Sequence, residues 1–156
     1  MAETLTFPEL TLNPDLTGGE RIDDLLNRVE QYAAHPDPLR VNFAALRAGQ
    51  VWVHLRRRAA DKETHRKKLH LEIAEDLVAH GLPPAEEGGE RAKVTKTAAP
   101  DQARADKRYT DYLDELRALE ERRDRAEVLW KSLHQRAYLL AGGRAAALDE
   151  GGNDGE

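Results

Sequence analysis

Between Tyr109 and Leu140 the chain keeps one spacing: Tyr109, Tyr112, Leu116, Leu119, Arg123, Ala126, Trp130, Leu133, Ala137 and Leu140 follow one another by alternating steps of three and four residues. All but Arg123 are aromatic, Leu or Ala. Held for about four heptads, that period describes one face of a long helix packed against another, in a coiled coil or an antiparallel helical hairpin. A strand, with its period of two, cannot carry it. The fold class expected is therefore all-α: a long antiparallel, coiled-coil-like hairpin.

A second long helix is available to pair with it. His35-Pro36-Asp37-Pro38 interrupts the chain; Asp37 is suited to accept hydrogen bonds from a new first turn, and Pro38 to the first helical position. From there a helix over 38–80 runs to Gly81-Leu82-Pro83-Pro84, a stop signal. Its apolar residues gather at its ends: Leu39, Phe43, Leu46, Val51, Trp52, Val53 and Leu55 first, then Leu69, Leu71, Ile73, Leu77 and Val78. Gly49 is expected to soften it. Ahead of it, Ile22, Leu25, Leu26, Val29 and Ala33 mark a short helix over 20–34. Residues 1–19, with Pro8, Pro14 and Gly18-Gly19, read as an extended arm with apolar side chains to dock.

The third helix is expected over 100–141, ending at Gly142-Gly143. One helical domain then covers 20–142, with a polar, basic connection at 81–99, and residues 143–156 form a disordered acidic tail. The chain of 156 residues holds 23 Ala and 21 Leu but only eight aromatics, so its hydrophobic 40% is short of bulk for a globular core. Such a seam is expected to bury itself by self-association into an oligomer.

Catalytic signals are missing. The chain has no cysteine, which excludes disulfides, thiolate nucleophiles and Cys-ligated zinc. His35, His54, His65, His70, His80 and His134 include no pair at the four-residue spacing of a helical metal site. His70-Leu71-Glu72 begins like a deaminase pattern but lacks the cysteines that complete it. Phosphate loops and nucleophile elbows are absent. The expectation is a protein that is not an enzyme, with no cofactor and no metal. No apolar run approaches the roughly 18 residues that span a bilayer, and Met1–Leu10 lacks the pattern of a secretion signal. A soluble cytoplasmic protein without a membrane partner is expected.

The formal charge of −5 hides a strong asymmetry. Residues 56–68 carry seven basic against two acidic side chains, and residues 91–108 six against two. Met1–Glu30 has seven acids against two bases, and the last eight residues four against none. Lys93-Val94-Thr95-Lys96-Thr97 has the composition of a flexible strand that tracks phosphates through cations and hydroxyls. Tyr109 and Tyr112 follow it as stacking surfaces for bases or, since they lie on the seam, as core. The bland alternative for the basic run is a solvated face paired with Asp114, Glu115, Glu120, Glu121, Asp124 and Glu127 of the third helix. Trp52 and Trp130 read as core or interface anchors. Arg123, the odd residue on the seam, either sets register or extends its head to solvent.

The order Val51-Trp52-Val53-His54-Leu55, then Arg91-Ala92-Lys93-Val94-Thr95-Lys96-Thr97, Asp106-Lys107-Arg108-Tyr109 and Leu129-Trp130-Lys131-Ser132-Leu133 resembles the phage recombination-mediator family, the UvsY-like proteins. The resemblance lies in the layout of long helix, basic Lys-Thr connection and second long helix. It does not extend to the N-terminal arm, the first helix or the acidic tail. It implies an oligomer that binds single-stranded DNA and helps load a recombinase onto strands covered by single-strand-binding protein, in the host cytoplasm if phage-encoded. Phosphate contacts would fall to Arg91, Lys93, Lys96, Lys107 and Arg108, with Arg57, Arg58, Lys62, Arg66 and Lys67 as a second basic surface. The competing class is a helical scaffold or inhibitor module that binds protein and no nucleic acid.

Overall fold

The structure is a computed structural model that describes residues 19–151, with side chains described up to Gly143 except for Glu20. Of the arm expected over residues 1–19, residues 1–18 lie outside the described residues, as do the last five of the chain, and Gly19 begins the first helix. The fold is all-α: α1 (Gly19–Gln31), a 3₁₀ turn (Tyr32–Ala34), α2 (Pro38–His80), α3 (Ala99–Ala105) and α4 (Lys107–Gly151). The long helices α2 and α4 pack against each other, as the seam predicts. The described residues divide into two compact units, one of residues 19–55 with 121–151 and one of residues 56–120, so both long helices contribute to each.

In the first unit α1 ends where His35 turns extended before Pro36, because a residue preceding proline avoids the helical region. Asp37 then starts α2 as expected. Its Oδ1 accepts the Leu39 amide at 3.1 Å, and its carbonyl accepts that of Val41 at 3.1 Å. The core is built from Ile22, Leu25, Leu26 and Val29 of α1, Val41, Ala44, Ala48, Val51 and Leu55 of α2, and Ala126, Leu129, Leu133 and Ala137 of α4. Alanines here let backbones approach closely. Gly49 does not soften the helix but makes room. A Cβ on it would stand 3.1 Å from Cδ1 of Trp130, which stacks on Trp52 with centroids 5.1 Å apart and planes at 12°. Arg122 takes Asp23 with both nitrogens at 3.0–3.1 Å, and Arg125 takes Asn27 and Glu30 at 2.7 and 2.8 Å. Numbers thus rise together on α1 and α4, and the two helices run parallel.

The second unit is a hairpin closed by an ordered connection. Lys62 meets Tyr112 and Glu115, while Asp76 meets Arg108, so α2 and α4 run antiparallel here. Gly81 stops α2 in the left-handed region (φ 77°), its amide bonded to the Leu77 carbonyl at 2.8 Å. The chain returns by a single antiparallel bridge, Leu82 to Ala92, with the Leu82 amide 2.9 Å from the Ala92 carbonyl. Ile73, Ala74, Leu77, Ala99, Ala103 and Tyr109 form the core, and Leu69, Val78, Leu82, Val94 and Leu113 pack against it.

Two boundaries differ from the sequence expectation. The helix expected over 100–141 is two helices, because Asp106 is extended (ψ 136°) and caps α4. Its Oδ1 accepts the Arg108 amide at 2.8 Å, and its carbonyl accepts those of Tyr109 and Thr110. At the other end, α4 continues past Gly142-Gly143 to Gly151, where residues 143–156 were expected to be a disordered tail. Neither glycine takes the left-handed conformation that ends a helix, and three alanines at 145–147 favour its continuation.

Candidate nucleic-acid interface

Among the described residues no three His, Asp or Glu gather to hold a metal ion, and no helix is long and apolar enough to cross a membrane. For a phosphate interface, what counts is which cations already have a carboxylate partner. Between Arg56 and Glu120 the chain holds fourteen Lys and Arg and fourteen Asp and Glu, so the second unit is neutral and the pairing decides its surface.

Four of the ten candidate cations are engaged. Arg108 is the most tightly held: Nε and Nη2 donate to the two oxygens of Asp106 at 3.0 Å each, and Nη1 donates to Asp76 at 2.8 Å. Asp76 also accepts His80 Nδ1 at 2.9 Å. Hydrogen bonds from Arg108, then from His80, hold the Asp76 carboxyl below the usual carboxylate range. Asp106 is lowered by the same guanidinium, against a smaller opposing effect of burial. Lys62 pairs with Glu115 and sits 4.3 Å from the Tyr112 ring centroid. Arg66 pairs with Glu63 at 2.8 Å, and Lys107 with Asp111 at 2.5 Å.

The other six, Arg57, Arg58 and Lys67 on α2 and Arg91, Lys93 and Lys96 in the connection, make no ion pair with described residues; all but the half-buried Arg58 are exposed. The Lys93–Thr97 segment is not the free strand expected from its composition. Val94 packs against the core of the second unit, and Thr95 holds the turn that leads into α3, accepting the Ala98 amide through its hydroxyl at 3.3 Å and its carbonyl at 3.1 Å. Lys93 and Lys96 are thereby carried outward on a fixed backbone.

The tyrosines are structural. Tyr109 is buried beside His70, whose Nε2 donates to the Pro100 carbonyl at 2.9 Å. The Tyr112 hydroxyl donates to the Lys62 carbonyl at 2.8 Å. On the seam, Arg123 is half-buried and pairs with its neighbour Asp124 at 2.8 Å. It is Arg122, one position along, that clamps α1, and the hydrogen bonds of Asp23 raise its pKa. Sequence reasoning missed this clamp; the available signal is three arginines, Arg122, Arg123 and Arg125, in a chain whose first helix carries Asp23, Asp24 and Glu30.

Two apolar surfaces went unread in the sequence. Leu39, Leu46 and Val53, spaced by seven, stand exposed along α2 in the first unit. In the second, Leu71, Ala74 and Val78 of α2 and Ala99 and Pro100 of α3 line a groove of about 340 Å³, edged by Glu75 and Lys96. Their signal is that each stands a few residues off the buried spacing of α2.

The geometry defines a class: an all-α hairpin protein with unpaired cations displayed on one long helix and on an ordered connection. Comparison with known proteins finds no matching family model, no matching curated protein and no matching solved structure.

Proposed function

We propose that this chain is a non-catalytic single-stranded DNA-binding protein of the recombination-mediator type, acting as a homo-oligomer with a recombinase and single-strand-binding protein. The observation that carries the reading is the trio Arg91, Lys93 and Lys96, three exposed cations without ion pairs within six residues of a backbone held by Val94 and Thr95. With the backbone already ordered, only the side chains themselves are left to immobilise when they meet a phosphate. Arg57, Arg58 and Lys67 extend the basic surface along α2. The resemblance to the UvsY-like layout supports the recombinase-loading role.

The test is fluorescence anisotropy with a labelled single strand at several salt concentrations. Each lost phosphate contact lowers the slope of log affinity against log salt by about 0.7, so Lys93→Ala with Lys96→Ala should lower it by about 1.4. An unchanged affinity and slope removes the connection from the interface.

A second reading, a helical protein-interaction module, is favoured by the exposed Leu39, Leu46 and Val53. With Phe43, over whose ring Arg47 lies at 4.8 Å, they make a coiled-coil-like stripe bordered by Arg40 and Arg47. Its partner would be an amphipathic helix with acidic flanks. No strand binding at micromolar protein, with capture of such a helix, favours this reading.

A further inference from the structure

The groove beside Lys96 lies on the same side of α2 as two of the unpaired cations. Arg57, Ala60, Thr64, Lys67, Leu71, Ala74 and Val78 follow one another by steps of three and four, which places them along one side of the helix. The stripe opens with Arg57, passes Lys67 one turn before Leu71, and enters the groove, where Lys96 stands at the edge. Leu71 is 58% exposed, an apolar side chain held at the mouth without cover.

We propose that this groove takes an unpaired nucleobase of the bound strand, its flanking phosphates lying on Lys67 and Lys96. The inference rests on the DNA-binding reading and deepens it. A groove of about 340 Å³ is at the low end of the range for small-ligand sites, roughly 300–1,000 Å³, which suits a single base. Its walls are Leu, Val, Ala and Pro, apolar surface for the face of a base. Its edge carries one cation for a phosphate, Lys96, across from the carboxylate of Glu75. A purely apolar partner helix would leave Lys96 facing hydrocarbon, whereas a nucleotide satisfies wall and rim together.

Glu75 gives the groove a preference. A carboxylate accepts hydrogen bonds only, so at the groove edge it matches the exocyclic amine of cytosine or adenine. Thymine has an acceptor oxygen at that position, which the carboxylate cannot pair with, and keeps only its N3–H as a donor. Oligo(dC) is expected to bind about fivefold more tightly than oligo(dT), the scale of one net hydrogen bond.

The experiment is anisotropy on the full chain with oligo(dC), oligo(dT) and an abasic strand of equal length, alongside Leu71→Gln and Glu75→Leu. Circular dichroism confirms that the variants fold, which exposed positions permit. Expected are weaker binding of oligo(dC) by Leu71→Gln, loss of the dC-over-dT preference in Glu75→Leu, and weaker binding of the abasic strand by the parent chain. An abasic strand bound as tightly as oligo(dC), or Leu71→Gln binding like the parent, overturns the groove while strand binding stands. No binding of any strand at low salt overturns both. If Leu71→Gln changes the mass in solution and leaves DNA affinity intact, the groove holds a second copy of the chain and the proposal fails.

Discussion

Replacing Tyr112 tests whether the tyrosines after the basic connection belong to the fold or to a strand-binding surface. Its hydroxyl donates to the Lys62 carbonyl at 2.8 Å, and the Lys62 ammonium lies 4.3 Å from its ring centroid. Tyr112→Phe deletes only the hydroxyl and should cost about 1 kcal/mol. Tyr112→Leu also deletes the ring beneath the ammonium, a further contribution of about 0.5–1 kcal/mol, for about 1.5–2 kcal/mol in all. At roughly 2–4 °C per kcal/mol for a chain of this size, Tm should fall by about 3 °C in the first variant and about 5 °C in the second. Thermal melts followed by circular dichroism measure this, and anisotropy with a single strand measures binding on the same samples. Because Lys62 occupies the ring, strand affinity should be the same in both variants. A base stacked on Tyr112 would be worth about 1–3 kcal/mol, so Tyr112→Leu alone would lose at least fivefold in affinity. That loss, with Tm unmoved, refutes the structural role.

Three further outcomes check the frame that holds the cations. Gly81→Ala forces a side chain into the left-handed region with its Cβ 2.5 Å from the Ala92 carbonyl oxygen, and should destabilise by more than about 1 kcal/mol in urea denaturation. Arg122→Gln removes the two-nitrogen grip on Asp23, half-exposed at both ends, and should cost about 1 kcal/mol and speed hydrogen exchange in α1 without touching strand binding. Asp76 and Asp106 have folded pKa values below their unfolded ones, so the stability they contribute is complete above the unfolded pKa and is lost as pH falls through the depressed folded values. Acid titrations should therefore show a steeper loss of Tm below about pH 4 in the parent than in Arg108→Leu. Equal slopes would show that Arg108 does not hold the pair.

Much of this frame is legible in the chain itself, because it is set by local rules. The three-and-four spacing names most of the buried face of α4, from Tyr109 through Leu116, Leu119, Ala126 and Leu133 to Ala137. Asp37-Pro38 and Gly81 fix the ends of α2 through a cap and a left-handed turn, each a property of one or two residues. Asp106 is different. Within the helical pattern it passes for one more charged residue, and it becomes a cap only because the core draws α3 aside through Ala99 and Ala103. Leu39, Leu46, Val53 and Leu71 mislead in the same way. Periodicity says that they share faces of α2, and only packing decides which face is covered.

The charges carry the widest gap between sequence and structure, because a basic window counts cations while binding counts cations without partners. Arg108 would have to leave two carboxylates to meet a phosphate, exchanging three charge-assisted hydrogen bonds for a similar number. Lys93 and Lys96 exchange only water, and release the counterions of the phosphate they meet. The same comparison sets Lys62, Arg66 and Lys107, each with a carboxylate in reach, behind Arg57 and Lys67. The two basic windows, alike in composition, also divide alike: residues 56–68 keep Arg57, Arg58 and Lys67 without an ion pair to a described residue and residues 91–108 keep Arg91, Lys93 and Lys96, while Lys107 pairs with Asp111 within α4 and Arg108 closes the hairpin through Asp76. Net charge cannot draw that line, since the second unit sums to zero; the positions of its acids do.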